Sequence, residues 1–120
     1  MKIPGLDHPI TIEPATERVT VRAGGKIIAD STAALRLQEA NYPAVLYVPL
    51  ADVDASLIRP SDTTTYCPYK GTATYYSVVT PDGEIADVIW IYEKPYRAVR
   101  AIAAHVAFYA DRVEIDAAAA

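Results

Sequence analysis

Cys67, Lys70 and Glu39 are the residues whose types and spacing could do chemistry in this 120-residue chain. Cys67 is the only cysteine, and Lys70 follows it by three residues in TYCPYKGTATYY, a stretch that also carries four of the nine tyrosines. A thiolate beside an ammonium is stabilised by the opposite charge, which lowers the thiol pKa and raises its reactivity. A nucleophilic cysteine also needs a base, and His8 and His105 both lie far from it along the chain. The plainer expectation makes Cys67 a small buried hydrophobe and Lys70 a solvated turn residue. Glu39 closes ALRLQEA, where alternation puts it on one strand face with Leu35 and Leu37. A carboxylate turned toward a core is costly unless it is paired or hydrogen-bonded. Its candidate partners are Lys70, Arg36 and the hydroxyls of Tyr47 and Thr65.

The elements that must position these residues read mostly as strands. VTVRA and KIIADS flank Gly24-Gly25, a two-residue hairpin signal. ALRLQEA and AVLYVPL form a second hairpin across Asn41-Tyr42-Pro43, and TATYYSVV and DVIWIYE a third across Pro81-Asp82-Gly83. CPYKG reads as a hairpin tip joining TTTYC to TATYY: Pro68 presets one turn dihedral, and Gly71 supplies a positive φ. Cys67 and Lys70 then meet at the hairpin mouth. In the third hairpin Trp90 and Tyr92 share a face with Val88, opposite Ile89 and Ile91, so this strand is buried or lines a cavity. Two short helices are expected, Val53–Arg59 capped by Asp52 and Tyr96–Ala104 behind Pro95. HVAFY and RVEI are expected to close the chain as a last hairpin around Ala110-Asp111. Residues 1–116 read as a single β-rich domain, with 117–120 as a frayed alanine tail.

Composition sets bounds on function. A net charge of −4 with scattered Lys and Arg excludes the basic face that nucleic-acid binding needs. A lone cysteine suits a reducing compartment. The N-terminus lacks a signal-peptide apolar core, and no stretch approaches the roughly 18 to 20 apolar residues of a membrane span. The expected setting is the cytoplasm, with neither a membrane nor nucleic acid as partner.

HPITIEP, ADSTAALRLQEANYPAVLYVP, TTTYCPYKGTATYYS and VIWIYEKPYRAVRAIAAHVAFY together resemble the bacterial family known as domain of unknown function 427, from His8 to about Val113. The resemblance implies a single-domain β-tent-like fold and carries a nucleotidyltransferase-like label. It also implies recurring positions at Glu39, Tyr47, Pro49, Asp52, Thr65, Cys67, Pro68, Lys70, Gly71, Trp90, Tyr92 and Pro95. Many β-tent modules hold zinc with four cysteines in paired knuckles. One Cys and two His cannot supply such a set, so neither zinc nor another cofactor is expected. Nucleotidyl transfer needs carboxylates for magnesium and a phosphate loop. Gly24-Gly25 and Asp52-x-Asp54 fit that need poorly, and the label ranks last.

Two functions of different class remain. The first is a binding module for a small molecule or peptide, with Tyr47, Thr65, Trp90 and Tyr92 as its wall and Glu39 and Lys70 as polar anchors. The second is an enzyme with Cys67 as nucleophile or redox thiol, tuned by Lys70 and assisted by Glu39. Both expect Glu39, Tyr47, Cys67, Lys70, Trp90 and Tyr92 to converge on one concavity.

Overall fold

Ten strands and a few single turns of 3-10 helix make up the computed structural model, which describes residues 1–119. In chain order the strands are β1 (Ile10–Pro14), β2 (Glu17–Ala23), β3 (Lys26–Ser31), β4 (Leu35–Glu39) and β5 (Val45–Pro49). They continue with β6 (Ile58–Cys67), β7 (Gly71–Thr80), β8 (Gly83–Ile91), β9 (His105–Phe108) and β10 (Glu114–Ala119). Seven form one open antiparallel sheet in the order β1-β4-β5-β9-β8-β7-β6, and β10-β2-β3 form a second.

The hairpins follow from their turn chemistry. Gly24 and Gly25 take φ of 54° and 74°, the paired positive values that match a tight turn to the twist of β2 and β3. β6 and β7 pair from Cys67↔Gly71 outward, with Gly71 at φ 109° as the CPYKG tip requires. β4 with β5 and β7 with β8 form the other two expected hairpins.

Each face of the large sheet covers its own cluster. On one, Val48, Val78, Ile89 and Val106 pack against Val19, Val21 and Ile28 of the small sheet. On the other, Leu37, Tyr47, Tyr75 and Tyr92 pack beneath Val99 and Ile102. The middle strands are therefore apolar on both faces, which is why AVLYVPL and VIWIY read as continuous apolar runs.

Several expectations need correction. The helical segments lie where expected but are 3-10 turns, Ala55–Leu57 and Arg97–Ile102, and not α-helices. Three residues and a kinked six give no room for repeated α-helical hydrogen bonds. Asp54, not Asp52, caps the first by accepting from the Ser56 amide at 3.0 Å, while Asp52 accepts from Ser31 Oγ at 2.6 Å. HVAFY and RVEI form no hairpin: β9 inserts between β5 and β8, and β10 pairs with β2. Ala117, Ala118 and Ala119 lie in β10, paired with Val19, Arg18 and Glu17, in place of a frayed tail; Ala120 lies outside the described residues. Val88 packs in the first cluster and leaves the Trp90 face, because Asp87 takes φ 54° where the β7–β8 register shifts.

Candidate functional site

The second face of the large sheet carries the chemistry. Tyr75 pairs with Trp90, and Trp90 pairs with Ala107, so two aromatic side chains stand beside a methyl group in one cross-strand row. Tyr47 precedes Val48, which pairs with Val106, and so arrives on the far side of Ala107. Tyr47, Tyr75 and Trp90 are among the walls of a cleft of about 290 Å³ on this face. Trp90 Nε1 donates to the Tyr47 hydroxyl at 3.3 Å across it, with the rings perpendicular.

Glu39 and Lys70 close one end. The tip of the β6–β7 hairpin folds back on itself, with the Lys70 amide donating to Cys67 O at 3.3 Å and Lys70 O accepting from the Tyr96 amide at 2.9 Å. This aims the ammonium at Glu39, with which it makes a hydrogen-bonded ion pair. The other carboxylate oxygen bonds His8 Nε2 at 2.8 Å. Both oxygens of the inward glutamate are thus partnered, as burial demands. Burial raises the Glu39 pKa, but the hydrogen bonds from Lys70 and His8, with their charges, outweigh it and hold the acid below its ordinary value. Arg36 instead pairs with Glu17, and neither Tyr47 nor Thr65 bonds the carboxylate.

The phenols stay protonated. Burial pushes Tyr47 up to about 12 against the opposing Trp90 hydrogen bond. Burial also pushes Tyr92 well above the usual phenol range. A hydrogen bond with Tyr75, then burial, raises Tyr109 to about 12. All three hydroxyls remain O–H donors at neutral pH.

Of the six residues expected to converge, Glu39, Tyr47, Lys70, Trp90 and Tyr92 line this one cleft. Cys67 does not: it is half-buried against the same cluster, with its Sγ 3.8 Å from Lys70 Nζ. Thr65 is exposed and reaches the cleft only through Tyr75, whose hydroxyl it meets at 2.9 Å. Asp52, Asp54, Gly24 and Gly25 take no part in the lining. Among the described residues, no group of three or more His, Cys, Asp and Glu could hold a metal ion.

His8, Tyr42 and Tyr109 were not legible as site residues. His8 arrives because β1 pairs with β4 in the register Ile10↔Glu39, and its ring stacks on Tyr69 at 4.1 Å. The Ile10/Ile12 alternation in HPITIEP is the signal that β1 exists. Tyr109 arrives because β9 joins β8, which the supposed last hairpin concealed; its ring lies 4.7 Å from Trp90.

Residues 11–118 match the model of a family described as a domain of unknown function, DUF427. The chain belongs to this family. No curated protein is significantly similar to it. Every residue that lines the cleft falls inside the family match, whereas His8 precedes it.

Proposed function

We propose that the chain is a small-molecule-binding module whose ligand occupies the cleft at Trp90. The ligand sets a polar group at the Glu39–Lys70 end and its body against Trp90, Tyr47 and Tyr92. The observation that carries this reading is the convergence of an ion pair and an aromatic wall from four strands and one hairpin tip on a single concavity. An aromatic wall with a few fixed polar groups gives a small-molecule site both affinity and orientation. The volume, about 290 Å³, suits a compact ligand better than a peptide.

A thermal-shift screen with a fragment library tests this. A fragment at a hundred times its dissociation constant adds about 2.7 kcal/mol of stability. Stabilising fragments should lose their effect in Glu39→Gln and Trp90→Phe. A library without stabilisers, or stabilisers indifferent to both substitutions, contradicts the reading.

A thiol enzyme is the second reading, supported by the Lys70 Nζ to Cys67 Sγ contact at 3.8 Å. Against it stand the ammonium's engagement with Glu39 and the absence of Cys67 from the cleft's lining. Alkylation of Cys67 by iodoacetamide separates the two. A rate that titrates well below the free-thiol pKa of about 8.5 supports the enzyme, and a sluggish thiol supports the binding module.

A further inference from the structure

A second hollow, about 510 Å³, adjoins the cleft and shares Tyr42, Pro43, Val45, Trp90 and Tyr109 with it. What it adds is Leu46, Phe108 and Ile115 with Ala44 and Ala110, and no charged side chain. The two hollows meet along these shared walls, the first bearing the Glu39–Lys70 pair and the second apolar, with the Trp90–Tyr109 pair between them.

The polar end has a definite hydrogen-bonding character. Both Glu39 oxygens already accept, one from Lys70 and the other from His8. The Tyr47 oxygen accepts from Trp90, so its own O–H is left to donate. The Lys70 ammonium keeps N–H groups beyond the one given to Glu39. The unspent donors, the Tyr47 O–H and the remaining Lys70 N–H groups, match a head of acceptor oxygens. Because Glu39 already engages Lys70, the ammonium draws a phosphate dianion less than an unpaired lysine would.

We propose that the ligand is an amphipathic acyl compound. Its carbonyl or carboxylate head meets Lys70 and the Tyr47 and Tyr92 hydroxyls, and its apolar body crosses Trp90 onto Leu46, Phe108 and Ile115. This rests on the small-molecule reading above and extends it to ligand class. The occupant of the apolar hollow is the ligand's own body, since the hollow borders the polar cleft along five shared residues and has no charged anchor of its own.

Trp90 is the only tryptophan, so its fluorescence reports from the joint. The probes are 4-phenylbutyramide, butyramide, 4-phenylbutyrate and 4-phenylbutylamine. The phenyl-bearing amide should bind at least about tenfold tighter than butyramide, because its ring leaves water for the apolar hollow. Ala110→Phe, at an exposed turn position of that hollow, should remove the advantage. Saturable binding of 4-phenylbutyrate together with the amide supports an acceptor head. Equally tight binding of the donor-headed amine overturns it. Equal affinity of the two amides, or an advantage that survives Ala110→Phe, overturns the extension into the apolar hollow and leaves the polar cleft standing. No saturable change with either amide overturns the cleft reading as well. Light scattering that shows a dimer dissociated by Ala110→Phe assigns the hollow to a second copy and also overturns the proposal.

Discussion

A lysine side chain only 9% exposed, held by a glutamate 16% exposed, is the tightest coupling in the site. Breaking such a pair from one side leaves the other charge without its counterion in a poor solvent. Lys70→Met should therefore cost about 3 kcal/mol, read as a lower urea midpoint with an unchanged slope. The same pair sets an acid limit. The Glu39 pKa is lower folded than unfolded, so its contribution to stability is present above the ordinary carboxylate pKa of about 4.3 and is lost as pH falls below it. Stability of Glu39→Gln should fall less steeply than wild type between about pH 5 and 3, by urea unfolding at each pH. At this scale the sequence was informative where one period decided the outcome. Alternation from Leu35 turned Glu39 inward, and the Cys67–Lys70 spacing put the ammonium within reach. It was silent on His8, because a lone histidine before a proline signals no partner, and only the β1–β4 register supplies one.

Among the elements, the β6–β7 hairpin matters most, since its tip carries the lysine. A Cβ at Gly71 would sit 3.5 Å from Lys94 O, ordinary contact, so space is not the constraint there. The φ of 109° is, and a side chain in that region costs about 1–3 kcal/mol. Gly71→Ala should therefore lower stability by about 1–2 kcal/mol and weaken ligand binding together, as the turn relaxes and Lys70 shifts. A thermal-melt and fluorescence comparison with wild type checks both, and a variant unchanged in both contradicts this account of the turn. The hairpins with local turn signals were readable because proline, glycine and asparagine chemistry acts within a few residues. The fates of β9 and β10 were not. Their partners lie far away in sequence, so adjacency suggested a hairpin while packing sent β9 into the large sheet and β10 to β2. The α-helices gave way to 3-10 turns for a related reason, since segments this short are shaped by their docking more than by propensity.

In the whole molecule, the large sheet separates two jobs. One face packs against the small sheet over a mostly aliphatic cluster, and the other bears aromatics, an ion pair and an open cleft. Among the described residues, no helix is long and apolar enough to cross a membrane. The division of labour between faces makes the central claim directly measurable. Two-dimensional NMR of nitrogen-15-labelled protein, titrated with 4-phenylbutyramide, follows the single indole N–H of Trp90 and every backbone amide at once. The expected result is saturable shifts concentrated on the Trp90 indole, the end of β4 at Glu39, the hairpin tip at Lys70 and the adjoining hollow at Leu46, Phe108 and Ile115, with β2 and β3 unmoved. Shifts centred on β2 and β3, or an indole N–H that stays in place while other amides saturate, would contradict it.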